Sequence, residues 1–478
     1  MRKVVTMLAI LSLACITQAQ STNRTAYYDS LTYADYLKAD WKELHQHGKT
    51  AIKKNAASDW VYKRMGYGLN VRRKYLSSTY YYNKVLHESR EDADALVMNF
   101  NNYVNSGMQG AAGVIDKWMT DGLRDYVGVR RKILESIYLE GGAVVSNNLK
   151  QNGNTRLFDP QHLLGTQDLT TGMYYWQLGL TLNAGKTVSF NIAYTGMILP
   201  HSDQYQYGYP KLVGTQPSQN NGVPYMRNIY QPADSTATFK YNTQQHQAYI
   251  GANFSMPYGW GLTPFIHLLI YNTTLTSFNT QPQYYLAQPI DTFQSVRPSV
   301  TYTNSPLTSV DAALGFNLYK QYRNVLFEAG GSYSSISKVN TWQANASVTY
   351  YPLGNTYLSF TPRLTYLNLA GSNKLLYQLS VSGRLHKYLW LSTYGTYGDL
   401  LYSNETNGST VFNSTNSTQY RLGATLYSPV HKNVGVFLGY QFRQMKGTIY
   451  KYTNNTNYDT YQTSYQNHLL TLGLKFNL

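Results

Sequence analysis

The sequence contains a single cysteine, Cys15, among its 478 residues. Cys15 lies within "MRKVVTMLAILSLACITQAQ", in which a basic start is followed by an apolar stretch and small residues. This order predicts a secretory signal peptide over residues 1–19, with cleavage after Ala19. The mature protein would then have neither disulfides nor thiol chemistry. A lipoprotein signal through Cys15 is the alternative, although Ser12 stands where that signal requires an aliphatic residue.

Beyond this segment the sequence has no run of eighteen apolar residues, which excludes a transmembrane helix. It also lacks the G-x-S-x-G, H-E-x-x-H and Walker motifs and any cysteine or histidine cluster with metal-ligand spacing. We therefore expect no enzyme, no cofactor and no metal site.

Acidic residues are scarce, with 24 Asp and Glu against 40 Lys and Arg, for a net charge of +16. Such a charge suits nucleic acid, anionic lipid or an anionic solute. The basic residues are scattered and the chain is predicted to be exported, so we expect lipid or solute and no nucleic acid. The 48 tyrosines exceed the needs of a soluble core and are typical of aromatic girdles at two membrane interfaces.

Residues 20–134 have helical periodicity. Four segments, "WKELHQHGKTAIKKN", "DWVYKRMGYGLNVRRK", "YLSSTYYYNKVLHESR" and "DADALVMNFNNYVNSG", each predict a helix. Small and aromatic residues recur at a period of about 34 residues, so this region resembles a tetratricopeptide repeat. Gly66 and Tyr82 fit the pattern of that family, whereas Ser78 stands where alanine is usual and the closing proline is absent. A generic helical bundle is the alternative.

Residues 135–478 change to a period of two, as in "YQNHLLTLGLKFNL" at residues 465–478. Tight connections such as "NAGK", "PYGW" and "PLGN" alternate with long polar ones, of which the longest is expected over residues 200–238. About fourteen such segments begin near residues 135, 172, 186, 243, 259, 308, 321, 340, 355, 374, 387, 418, 431 and 465. The pattern predicts a transmembrane antiparallel β-barrel of about 14 strands, with 12 or 16 as alternatives, preceded by a small all-α domain.

In this pattern the chain resembles the outer-membrane β-barrel proteins of Gram-negative bacteria. The resemblance implies a barrel in contact with outer-membrane lipid and lipopolysaccharide, with the N-terminal domain and the C-terminus in the periplasm. Members of that group commonly end on an aromatic residue, whereas here Phe476 lies two residues before Leu478.

If the apolar faces meet lipid, the opposite faces line the lumen. These faces carry eight charged residues, which either pair as structural bridges or form a basic arc that favours anions. The candidate pore-lining residues are Arg363, Arg384, Arg421, Arg443, Lys475, Glu140, Asp311 and Glu328.

The helical domain offers a second candidate site, a groove for a periplasmic protein partner. Its residues would be Trp60, Lys63, Tyr67, Asn70 and Asn101, unless these simply form the surface of a short cap. We expect a barrel whose helical domain recruits a partner in export, polysaccharide or envelope assembly. A pore for small, perhaps anionic, solutes is one alternative, and extracellular ligand binding by the Tyr/Asn-rich loops is another.

Overall fold

The computed structural model describes residues 23–128, 132–159, 161–220, 222–285, 295–405 and 407–478. The predicted signal peptide and Cys15 lie outside the described residues. Within them, no helix has the length and apolarity needed to cross a membrane.

Seven helices precede the sheet in the described part of the chain, and the four predicted segments form the second to fifth of them. Asp40, Ser58 and Asp92 cap three of these helices by accepting hydrogen bonds from backbone N–H groups in the first turn. The helices are α1 (23–37), α2 (Trp41–Lys53), α3 (Asp59–Val71), α4 (Tyr75–Glu88), α5 (Ala93–Asn105), α6 (Gln109–Trp118) and α7 (Asp121–Val127).

Consecutive helices pack around a buried apolar core that includes Leu76, Val85 and Leu96. A Cβ atom on Gly66 would lie 2.7 Å from the ring of Tyr82, so the glycine allows α3 and α4 to approach closely. The tetratricopeptide-like character of this domain stays a prediction.

The sheet is a closed antiparallel barrel of fourteen strands, as the sequence predicts. It closes where the last strand pairs with the first, from Ser136 opposite Asn477 to Ser146 opposite Asn467. The barrel strands are β1 (Leu134–Ser146), β3 (Gly172–Asn183), β4 (Val188–Asn220), β5 (Val223–Ser255), β6 (Trp260–Tyr285), β7 (Ser295–Tyr322), β8 (Val325–Ser334), β9 (Thr341–Tyr350), β10 (Leu358–Leu369), β11 (Ser372–His386), β12 (Leu389–Tyr397), β15 (Ser417–His431), β16 (Val434–Tyr452) and β17 (Tyr458–Asn477).

Three short strands lie outside this ring. They are β2 (Leu164–Thr170) and the pair β13 (Asn404–Glu405) and β14 (Thr410–Val411). A short helix, α8 (Asn148–Asn152), follows β1.

Alternate residues of each strand point away from the lumen. Most of these outward residues are apolar, so the outer face of the barrel is apolar. In the C-terminal half of β17 the exposed residues are Leu470, Leu472, Leu474 and Phe476, with small or polar residues between them. Exposed aromatic residues lie toward both ends of the outer face, such as Trp260 at one end and Trp342 at the other. An aliphatic band between two aromatic belts is the surface expected of a barrel in a bilayer.

At one end of the barrel the connections are tight, and the helical domain packs against four of them. The backbone N–H of Leu76 donates to the carbonyl of Gly354 at 2.9 Å, and Asn355 Nδ2 donates to the carbonyl of Arg73 at 2.8 Å. Lys186 forms an ion pair with Asp116 at 3.0 Å. The remaining contacts involve the turns around Tyr258 and Arg323. The helical domain and the C-terminus are therefore at the same end.

At the other end of the barrel, the prediction of a long loop over residues 200–238 is wrong. Strands β4 and β5 continue through these residues and remain paired out to Asn220 and Val223. The sequence there is polar on both faces, so it lacks the alternation of apolar and polar residues seen in the rest of each strand. β2 joins the long arm of β4 to β16.

A charged cluster holds the segment 147–163 at this end. Lys451 Nζ lies 2.7 Å from Asp159 Oδ2. His162 lies between two carboxylates, with Nδ1 2.6 Å from Asp159 and Nε2 3.0 Å from Asp459. We call these four residues the mouth clamp.

Candidate functional site

The connection between β12 and β15, residues 398–416, turns into the barrel, and we call it the lumen loop. Leu400 and Ser403 have no exposed surface and Asn404 is 4% exposed. Its central part is the small hairpin of β13 and β14. The buried polar groups of this loop need hydrogen-bond partners, and the inner face of the barrel supplies them.

One set of partners comes from β8 and β9. Gln343 Nε2 donates to the backbone carbonyl of Asn404 at 2.7 Å, and Gln343 Oε1 accepts from the Asn404 N–H at 3.2 Å. Asn404 Nδ2 donates to Ser332 Oγ at 2.9 Å. Asn404 is thus held through its backbone and its side chain.

A second set comes from β5 and β6. His267 Nδ1 donates to the carbonyl of Gly408 at 2.6 Å, and Tyr249 Oη donates to the carbonyl of Asn407 at 3.0 Å. Asn413 Nδ2 donates to Gln245 Oε1 at 2.9 Å. Around the ring, β5 is the fourth strand and β12 the eleventh of fourteen, so they are diametrically opposite. The lumen loop therefore crosses the full width of the barrel.

Gly408 is the residue that allows the tip of the loop to reach the far wall. Its φ is +79°, in the region that favours glycine, and a Cβ atom there would lie 2.0 Å from Phe265 Cε2. The carbonyl of Gly408 can then accept the hydrogen bond from the buried His267.

The lumen loop also carries a charge that pairs with the wall. Glu405 forms an ion pair with Arg421 of β15, and both side chains are buried. Arg421 is directly opposite Arg443 of β16 in the strand register. The ring of Phe412 lies beneath both guanidinium groups, 5.0 Å from Arg421 and 5.9 Å from Arg443. Within the described residues, Arg443 has no carboxylate partner and bonds instead to Gln441.

A cavity of about 510 Å³ lies between the tip of the lumen loop and the part of the wall that runs from β15 through β16, β17 and β1 to β3. Its charged residues are Glu140, Glu405, Arg421 and Arg443. Tyr175 donates a hydrogen bond to Glu140. Because Arg421 is paired and Glu140 has a hydrogen-bond donor, Arg443 is the charge best placed to bind an acceptor group of a solute.

The predicted pore-lining residues occupy several places rather than one arc. Arg421, Arg443 and Glu140 share the cavity. Arg363 pairs with Glu328 at 3.2 Å farther round the wall. The other three lie apart from both groups.

Asp311 is 1% exposed and accepts a hydrogen bond from the Ser337 N–H at 2.7 Å, which fixes a turn after β8. Arg384 lies at the tight-turn end, over the rings of Tyr357 and Trp390. Lys475 is half-buried near the end of β17, toward the same rim. Whether any of the eight residues contacts a solute stays a prediction.

The predicted groove residues lie on or near α3. Trp60 is 56% exposed, and Lys63 Nζ lies 4.3 Å from its ring while pairing with Asp92 at 2.7 Å. Tyr67 packs edge-on against Tyr36 and Trp41. Asn70 Nδ2 donates to Asn102 at 2.6 Å, and Asn101 is half-buried. Trp60 therefore presents the largest free surface of the five.

Sequence reasoning did not find the lumen loop. Its composition matches that of the surface loops, and its partners lie far away in the chain, as with Asn404 and Gln343 or Gly408 and His267. The glycine within a polar stretch is the only local signal of a close approach, and it is a weak one.

No family model and no curated protein matches the chain. Among solved structures it is similar to the toluene transporter TodX of P. putida, with a TM-score of 0.40 and 9% identity over 73% of this chain and 91% of that one. It is also similar to a Pseudomonas aeruginosa FadL homologue, with a TM-score of 0.38 and 8% identity over 78% of this chain and 97% of that one. The KdgM porin has a TM-score of 0.26 and 10% identity over 49% of this chain and 95% of that one.

Proposed function

We propose that the protein is an outer-membrane channel for a small polar solute and that the lumen loop is its barrier. The observation that carries this proposal is a barrel with an apolar exterior whose interior is crossed, wall to wall, by a hydrogen-bonded loop. A barrel that served only as an anchor would need neither the lumen loop nor a charged cavity beside it. The role is not enzymatic in this proposal.

The location follows from the same surface. The aliphatic belt would contact lipid, including lipopolysaccharide in the outer leaflet, and the tight turns would face the periplasm. This orientation puts the helical domain and the C-terminus in the periplasm, and the long arms of β4 and β5 outside the cell.

The chemistry of the cavity supports a solute with an acceptor group. Arg443 lies beside Gln441 and faces the cavity, and it lacks a carboxylate partner among the described residues. A carboxylate or phosphate of the solute could bind there through charge-assisted hydrogen bonds. The paired Arg421 would contribute less, because Glu405 already neutralises it.

Planar-bilayer recording tests the proposal. We would compare the wild type, a variant with residues 404–411 replaced by a short Gly-Ser linker, and Arg443→Gln made in the linker background. We expect rare openings in the wild type, steady conductance in the linker variant, and weaker anion preference after Arg443→Gln. Lys387→Gln, at the rim, is the matched charge control. A silent linker variant that still shows heat-modifiable gel mobility would refute the channel.

Partner recruitment by the helical domain is the second candidate. The exposed ring of Trp60, with the ion-paired Lys63 beside it, is an aromatic surface that the barrel does not cover. A photo-crosslinker at position 60 should capture a periplasmic protein, while one at position 126, which is 80% exposed, should not. Equal labelling at both positions would argue against a specific surface.

A further inference from the structure

A second cavity lies where the helical domain meets the barrel, away from the lumen. It has a volume of about 310 Å³ and lies between α4 and the turns that join β5 to β6 and β7 to β8. We call it the junction cleft. Its lining includes Tyr80 and Lys84 of α4 and Lys320, Tyr322 and Arg323 of the barrel rim.

Three cations converge on the junction cleft without a carboxylate partner in the described part of the chain. Arg323 lies 4.2 Å from the ring of Tyr80, and Lys84 lies 6.0 Å from the same ring. Lys320 Nζ donates one hydrogen bond to the carbonyl of Tyr258, at 2.7 Å, which leaves two of its N–H groups. The one carboxylate in the lining, Glu88, lies 3.4 Å from His87 and pairs with none of the three.

The junction cleft lies at the boundary of the apolar belt. Lys320 follows Phe316 and Leu318 on the outward face of β7, and both of these residues are exposed. Its ammonium group lies 4.9 Å from the ring of Trp260, which belongs to the aromatic belt at the tight-turn end. A lysine that bends from an apolar face toward aromatic rings at the interface is typical of the headgroup layer.

We propose that the junction cleft binds the phosphate of an anionic phospholipid in the leaflet next to the helical domain, with Lys84, Lys320 and Arg323 around the headgroup. The proposal rests on the membrane placement given above and is independent of whether the lumen conducts. The acyl chains would continue along Phe316 and Leu318. The lipid would thereby join the helical domain to the barrel, because α4 and the rim each supply cations.

The electrostatics of the neighbouring helices agree with this assignment. Burial is the main cause that lowers the pKa of His45 to about 4, and the charges of Lys49, Arg72, Lys74 and Arg323 lower it further. Four cations therefore lie near His45, on the side of the helical domain that faces the rim.

Native mass spectrometry of the full-length protein in detergent tests the proposal. The protein would be titrated with phosphatidylglycerol and, separately, with phosphatidylcholine. We expect one tightly bound phosphatidylglycerol, and binding weakened roughly tenfold to thirtyfold in Lys84→Gln/Arg323→Gln, since each basic residue near a membrane surface contributes about one factor of five. Lys387→Gln/Lys432→Gln removes the same charge at two other turns of that rim and should bind like the wild type.

Three results would overturn the assignment. The control could lose as much affinity as the cleft variant, which would mean that only net charge matters. Phosphatidylcholine could bind equally well. Inorganic phosphate could displace the lipid at millimolar concentration, which would point to a soluble anion. If the double variant does not fold, Lys84→Gln alone is informative, because this side chain is exposed and its ammonium group lies 6.0 Å from the ring of Tyr80.

Discussion

Replacing Gly408 with alanine should detach the tip of the lumen loop from the opposite wall. The new Cβ atom would overlap Phe265, and the backbone at this position has a φ of +79°. A left-handed conformation costs a non-glycine residue about 1–2 kcal/mol, and an extra methyl group in a packed site costs about 1–3 kcal/mol. The substitution should therefore disfavour the closed arrangement by about 2–5 kcal/mol.

This cost is comparable to what holds the tip in place. The tip is fixed by the hydrogen bonds of Asn404, Asn407 and Gly408 to the wall. At a net contribution of about 1 kcal/mol each, they supply about 5 kcal/mol. A loss of even about 2 kcal/mol raises the ratio of detached to attached loop about thirtyfold.

The assay is single-channel recording, with the open probability of Gly408→Ala compared with that of Gly371→Ala. Gly371 also has a positive φ, +89°, but a Cβ atom there meets nothing within 4 Å. The control therefore carries the backbone strain without the overlap. Equal open probability in the two variants, with both proteins folded, would refute the view that the closed pore requires the close approach of Gly408 to Phe265.

Three further outcomes are expected. Glu405→Gln should leave the buried Arg421 without its partner, at a cost of about 3–5 kcal/mol, and should increase protease cleavage within residues 398–416. Gly66→Val should destabilise the helical domain by about 1–3 kcal/mol through overlap with Tyr82, lowering its thermal transition while the barrel keeps its heat-modifiable mobility. In the mouth clamp, the hydrogen bond from Lys451, aided by the one from His162, lowers the pKa of Asp159, while hydrogen bonds to Asp459 and then Asp159 raise the pKa of His162. The stabilisation that ionised Asp159 gives to the mouth clamp is present above its ordinary pKa of about 3.9 and is lost as pH falls through the lowered pKa. The stabilisation that protonated His162 gives is present below about pH 6.5 and is lost as pH rises through the raised pKa. Hydrogen exchange in residues 147–163, corrected for intrinsic rates, should thus be slowest between about pH 4 and 6.5. The substitution His162→Gln should remove the increase in exchange rate above about pH 6.5.

The strands were predictable wherever one face of the strand is apolar and the other is polar. β17 shows this clearly, with leucines alternating with Thr471, Gly473 and Lys475, and the count of fourteen strands is confirmed. The alternation disappears where both faces of a strand are polar, as in the long arms of β4 and β5. For that reason the continuation of β4 and β5 through residues 200–238 was wrongly predicted as a loop.

The candidate site was less predictable. The inward direction of Arg421 and Arg443 follows from the strand period, but their partners do not. Glu405, Phe412 and Gly408 lie in a polar stretch that local sequence cannot distinguish from a solvent-exposed loop. Their burial depends on wall residues that are distant in the chain, such as Gln245, and a polar segment shows no periodicity by which such partners could be found.

The pairing of β1 with β17 also sets the order in which the molecule can be built. The helices contact their neighbours in the chain, so their contacts are local and form early, whereas Ser146 meets Asn467 only after the whole barrel has been synthesised. Until then both strands expose unpaired backbone edges that can join another chain. The completed helical domain would remain attached to an open sheet throughout that interval, and the four tight turns on which it rests would be brought together before the seam between β1 and β17 is sealed.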